Sequence, residues 1–169
     1  MKKRVAIIGA GPAGLMAAEV LSQSDYEVHV YEQKPSAARK FLMAGKTGLN
    51  ISHAEPVAQF IGRYDQAEWL EPWVRQWDAV WIQSWMKDLG IESYIGSSGR
   101  VFPIEMKAAP LLRAWLKHLQ QQDVQFHYRH QFFVNDAAAT AIYALQCALS
   151  PLHDLHINVL ACGALSWSK

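Results

Sequence analysis

Arg4 to Ile8, followed at once by Gly9-Ala10-Gly11-Pro12-Ala13-Gly14, constrains this chain more than any other stretch. RVAII reads as a short buried strand, and the Ala-rich run from Leu15 to Leu21 reads as a helix, so the glycines must make a strand-to-helix turn. Gly9 permits the tight turn, Gly11 lets the backbone approach a pyrophosphate, and Gly14 lets the helix pack against the strand. Pro12 is pre-shaped for a first helical turn. A diphosphate would sit on the helix N-terminus, where backbone N–H groups lack intrahelical partners and the dipole favours an anion. A second strand, Glu27 to Tyr31, has Val28 and Val30 alternating and ends in Glu32, eighteen residues after Gly14. From that position an acidic side chain accepts the ribose hydroxyls of a dinucleotide. The same charge opposes a 2′-phosphate, which disfavours NADP at this motif and leaves FAD or NAD.

The stretch AGKTGLN, residues 44 to 50, offers a competing phosphate site, because Gly45-Lys46-Thr47 spells the end of an ATPase P-loop. That loop needs a glycine five residues before its Gly-Lys pair, and Lys40 occupies the position. Phe41, Leu42 and Met43 would place bulky side chains where the chain must turn tightly, and no strand leads into the motif. The ATPase reading fails on all three counts. With Lys34, Arg39 and Lys40, the segment reads instead as a basic, flexible loop placed to close over the adenosine and reach the diphosphate. The plainer alternative is a solvated surface loop.

At 169 residues the expectation is one domain with a substantial core. The 16 Lys and Arg against 15 Asp and Glu leave no basic field for nucleic acid and no acidic one for a cationic partner. The two cysteines, Cys147 and Cys162, form neither a Cys-x-x-Cys pair nor a disulfide framework. That suits a reducing compartment and a cytoplasmic setting. The basic start and apolar run after Met1 imitate a signal peptide, but the glycines and proline within it are explained position by position by the turn. No stretch has the apolar length to span a bilayer.

The segments VAIIGAGPAGLMAAE, RKFLMAGKTGLNISH, SSGRVFPIEMKAAPLLRAWL and VLACGALSWSK, spread along almost the whole chain, resemble the signature segments of the BaiN-like flavoproteins, a family of NAD(P)/FAD-dependent oxidoreductases. The resemblance implies an α/β, Rossmann-like FAD-binding domain, incomplete, with inserted helices and a β-hairpin. It implies FAD bound at Gly9, Gly11, Pro12, Ala13, Gly14, Glu32 and Gln33, with Arg39, Lys40, Gly45 and Asn50 in a second cofactor loop. Many relatives carry Arg-Cys-Asn where this chain has Gly48-Leu49-Asn50, so no thiol acts there. The loop is also similar to that of pyridine nucleotide disulfide reductases, whose dithiol chemistry cannot run without cysteine. Aromatic hydroxylases of the flavoprotein type share the first motif but not KFLMAGKTGLN.

Elsewhere, Trp69, Trp73, Trp77, Trp81 and Trp85 recur every fourth residue, with Pro72 suited to start a helix that runs to Leu89 and stops at Gly90. Each four-residue step overshoots a turn by about 40°, so the stripe winds and cannot face one core. It is expected to supply core and a domain contact, with any exposed remainder a partner or membrane-interface patch. Ile91 to Ile95 and Arg100 to Phe102 flank Gly96-Ser97-Ser98-Gly99 as a hairpin, with Arg100 either an anion holder or an ordinary surface arginine. Ala108 to Gln122 reads as an amphipathic helix with Leu112, Trp115, Leu116 and Leu119 on one side, and Val124 to Phe133 as a strand. HYRH and HDLH are His-x-x-His pairs, but strand ends three residues apart point to opposite faces, so no metal is expected. Ala-rich Asn135 to Ser150 reads as a helix, where the resemblance implies turn-linked strands. Ile157 to Ala161 reads as a closing buried strand.

The resemblance implies that 1–169 is an N-terminal FAD/NAD(P)-binding domain cut within its second FAD motif, since family members continue through a substrate domain and a C-terminal flavin-contacting segment. The complete protein would pass hydride from NAD(P)H through flavin to an unknown small-molecule substrate. No residue reads as a catalytic acid, base or nucleophile. The competing expectation is a non-catalytic dinucleotide-binding fragment without turnover of its own.

Overall fold

The computed structural model describes residues 2–44 and 48–131, together with the backbone of 155–159. In chain order the elements are β1 (Lys3–Ile8), α1 (Pro12–Ser22), β2 (Tyr26–Glu32), α2 (Arg39–Ala44), β3 (Ser52–His53), α3 (Val57–Ile61) and α4 (Ala67–Gln76). There follow α5 (Ala79–Asp88), β4 (Ser93–Ile95), β5 (Arg100–Pro103), α6 (Ala108–Gln121), β6 (Gln125–Tyr128) and β7 (Leu155–Val159). They form two compact units, Met1–Phe41 with Lys117–Lys169, and Leu42–Leu116.

The first unit is built on a four-stranded sheet in the order β6-β2-β1-β7. All pairings are parallel, with Val5 opposite Val28, Ile7 opposite Val30, and Tyr31 opposite His127. Val5, Ala6 and Ile7 are all buried, as expected for a strand covered on both faces. Val28 and Val30 are buried and alternate with half-buried His29 and Tyr31. Leu15 and Ala18 of α1 complete this core, and Gly14 is buried with them. The chain runs outward from β1 through β2 to β6, while β7 lies on the other side of β1. The C-terminal end of β1 is therefore a topological switch point, where ligands of open α/β sheets bind. β6 is shorter than the expected strand because Arg129, at φ 62°, turns the chain out of the sheet.

The second unit carries the antiparallel sheet β3-β5-β4. The expected hairpin is present, with Gly96 N–H donating to the Arg100 carbonyl (2.8 Å) and Gly99 at φ +77°. A Cβ on Gly99 would lie 2.7 Å from the His53 ring, so both space and backbone require glycine. The expected single tryptophan helix is two helices. Asp78 breaks it by N-capping α5, its carboxylate accepting from Trp81 N–H at 2.9 Å, while Pro72 sits inside α4 rather than at a helix start. Trp69, Trp73 and Trp77 are left exposed, whereas Trp85 stacks on Trp81 and meets the edge of Trp115 at 4.8 Å between ring centroids. The segment expected to be a flexible loop is in part the helix α2, whose residues RKFLMA are mostly good helix formers. Asn135 to Ser150 and the motif beginning at Cys162 lie outside the described residues.

Candidate functional site

Gly9 leaves β1 at φ +100°, and its N–H donates to the Tyr31 carbonyl at 2.7 Å, so the turn begins as a continuation of the β1–β2 ladder. Gly11 is the N-cap of α1, with Pro12 in the first turn. No side chain caps this helix start, and its first turn holds no acidic residue. The positive end of the helix is therefore neither covered nor neutralised from within α1. A Cβ built on Gly11 meets nothing within 4 Å, whereas Gly14 is buried. Pro12 and Ala13 are exposed.

Glu32, half-buried at the end of β2, is tied at both oxygens. Oε2 accepts from Ala10 N–H at 2.9 Å and Oε1 from Lys34 N–H at 2.8 Å. The carboxylate thus reaches across from β2 to the glycine turn, and each oxygen keeps one further lone pair. Ala10, wholly buried, is the hub of the site. Its N–H goes to Glu32, and its carbonyl accepts from Ala38 N–H at 2.8 Å. The chain reaches this contact through Ala38 at φ 49° and then enters α2. From the other side, His130 N–H donates to the Glu32 carbonyl (3.0 Å) and Arg129 N–H to the Lys34 carbonyl (3.2 Å). Tyr128 stands opposite Glu32 in the ladder, and its hydroxyl is held above the ordinary pKa first by burial and then by the Glu32 charge.

Of the residues singled out from sequence, Gly9, Gly11, Pro12, Ala13, Gly14 and Glu32 come together in this one turn. Gln33, Arg39 and Lys40 are exposed on the segment that follows it. Gly45 lies outside the described residues, and Asn50, exposed, belongs to the second unit, as does exposed Arg100. Ala10 and Ala38 were not singled out, because their contribution is made by backbone groups and alanine leaves no signature for it. His127 and His130 do approach each other, rings edge-on at 5.8 Å, since His130 is already past the end of β6. No group of three metal-ligating side chains occurs among the described residues. The HDLH pair lies outside the described side chains. No described helix is long and apolar enough to cross a membrane.

The family model of the HI0933-like protein Rossmann domain matches residues 3–169, and the chain belongs to that family. No curated protein matches it. Among solved structures it is similar to Thermovibrio ammonificans THI4, at 17% identity and a TM-score of 0.47 over 75% of this chain and 38% of that one. An oxidoreductase from Methanosarcina mazei is 14% identical, with a TM-score of 0.40 over 79% of this chain and 53% of that one. The 3-ketosteroid-Δ4-(5α)-dehydrogenase of Rhodococcus jostii RHA1, solved with 4-androstene-3,17-dione, is 13% identical, with a TM-score of 0.47 over 79% of this chain and 40% of that one. The chain thus spans less than two thirds of the length of each.

Proposed function

We propose that this chain binds FAD by its ADP half and serves an NAD(P)/FAD-dependent oxidoreductase of the BaiN-like kind. The observation that carries the reading is Glu32, fixed by two backbone donors beside the open, uncapped start of α1. The space over Gly11 suits a pyrophosphate, received by backbone N–H groups of the first turn. The lone pair left on each Glu32 oxygen suits the two vicinal hydroxyls of a ribose. Because the carboxylate is tethered at both oxygens, it cannot swing aside for a 2′-phosphate. Arg39 and Lys40, exposed at the start of α2, supply positive charge to the segment that follows the turn.

FAD held there would supply hydride-transfer chemistry between NAD(P)H and a small-molecule substrate. The residues described here bind and orient. Gly9 and Gly14 set the turn against the sheet, Gly11 keeps the path of the diphosphate clear, and Glu32 fixes the adenosine end.

Titration of the purified chain with FAD, followed by flavin fluorescence, tests the reading. Saturable binding reversed by ADP is expected, and a folded chain that leaves the flavin signal unchanged would refute it. Anaerobic addition of NADH or NADPH to the FAD-loaded chain, compared with free FAD, separates a catalytic unit from one that only binds.

A further inference from the structure

The face of β2 and β6 that carries His29 and Tyr31 holds a chain of titratable groups with no part in the cradle. His29 Nε2 lies 3.0 Å from Glu27 Oε1, and His29 Nδ1 lies 2.9 Å from Nε2 of His127 on β6. The His29 and His127 rings lie near-parallel, 17° apart, with centroids 5.2 Å apart, Tyr31 stacks on His127 at 4.5 Å, and His130 stands edge-on to Tyr31 and His127 at 5.8 Å. The partners fix the protons. Glu27 only accepts, so His29 donates from Nε2; in the neutral relay its Nδ1 must accept, and His127 must donate from Nε2. One added proton is accommodated without breaking a contact. His29 becomes an imidazolium that donates to both neighbours, and His127 shifts its own proton to Nδ1. A second proton is not accommodated, because two N–H donors would then face each other at 2.9 Å with no acceptor between them.

β6 is an edge strand among the described residues, paired only with β2. The backbone just beyond it holds the Glu32 and Lys34 carbonyls. The geometry points to a proton-operated latch: uptake of two protons by the His29–His127 pair breaks its shared hydrogen bond, loosens β6 from β2 and releases the strand end that carries Glu32. The groups facing the pair are Glu27 and Tyr31 on β2, Gln125 opposite His29 on β6, His130 beyond β6, and Arg4 of β1, beside Glu27 in the ladder. Burial first, then the charges of His29 and His130, hold His127 below the ordinary histidine pKa, so the latch stays closed near neutrality and opens on acidification. The consequence for ligand affinity rests on the dinucleotide reading of Glu32, whereas the latch itself does not.

Two readouts on the whole chain, without ligand, test it between about pH 8 and about pH 5. Ring-nitrogen NMR is expected to show His29 and His127 both protonated at Nε2 when neutral and titrating as a linked pair in two steps. Amide hydrogen exchange is expected to show protection of β6 falling about tenfold or more relative to β1 on acidification. His127→Gln, which can still donate to His29 Nδ1, and His29→Gln, which removes the other ring, should each abolish that fall, while His130→Gln should retain it. The proposal is overturned if the two rings titrate independently, or if β6 protection is indifferent to pH or falls equally in His127→Gln and His29→Gln. ADP affinity measured over the same range reports on the site: parallel weakening extends the latch to Glu32, and no ADP binding at any pH refutes the dinucleotide reading while the NMR and exchange results still decide the latch.

Discussion

Glu32 braces the glycine turn and, in the function proposed above, accepts the ribose of the dinucleotide, and replacing it tests both roles. Glu32→Ala deletes the acceptor for Ala10 N–H and for Lys34 N–H. Ala10 is wholly buried beneath a half-buried Glu32, so the donor is poorly matched once the carboxylate is gone, at a cost of about 1–3 kcal/mol. The Lys34 N–H is exposed and rehydrates, so its loss adds no more than about 0.5 kcal/mol. A destabilisation of about 2 kcal/mol follows, which shifts a urea midpoint by about 1 M at a slope of about 2 kcal/mol/M. Glu32→Gln can still turn its amide oxygen to Ala10, so it should lose only about 1 kcal/mol of stability. It also loses the charge offered to the ribose, and its ADP affinity should drop about tenfold, equivalent to about 1.4 kcal/mol. The assays are urea unfolding followed by far-UV circular dichroism and calorimetric ADP titration of the folded variants. Both variants lying within about 0.5 kcal/mol of wild type would show that the carboxylate does not brace the glycine turn.

Gly11→Ala should separate folding from binding: its Cβ meets nothing in this structure and the backbone is extended, so stability should change by no more than about 1 kcal/mol, while ADP affinity falls. Unchanged affinity by calorimetry would count against a pyrophosphate over this residue. Gly99→Ala combines a left-handed backbone with a Cβ 2.7 Å from His53, and thermal unfolding should show a loss of about 1–3 kcal/mol or more. His127 has its folded pKa lowered, so between the ordinary value of 6.5 and its folded value the unfolded chain binds the extra proton. Stability is therefore present above the unfolded value and lost as pH falls, and His127→Gln should flatten that part of the stability–pH curve measured by urea unfolding.

The glycine turn and Glu32 were legible because each position there answers a backbone or charge requirement that few residue types meet. The clamp at Ala10 was not, since hydrogen bonds to Ala38 and Glu32 are made by the main chain, and alanine reads as helix or filler. The four-residue spacing of the tryptophans runs straight across the break at Asp78, which only the N-cap signal of Asp before Ala-Val-Trp marks. The basic side chains of RKFLMA suit a solvated loop, but its helical propensity prevails and the segment forms α2. The His29–His127 contact depends on pairing β2 with a strand almost a hundred residues later, and no local pattern encodes that register.

The central claim, that the turn after β1 receives a dinucleotide, is tested most directly by following backbone amide NMR signals of the isotope-labelled chain during ADP titration. The account predicts saturable shifts concentrated at Ala10, Gly11, Ala13, Gly14 and the Glu32–Lys34 corner, weakened together by Gly11→Ala. A folded chain whose turn amides stay unmoved by ADP, or whose shifts map to the second unit instead, would contradict it.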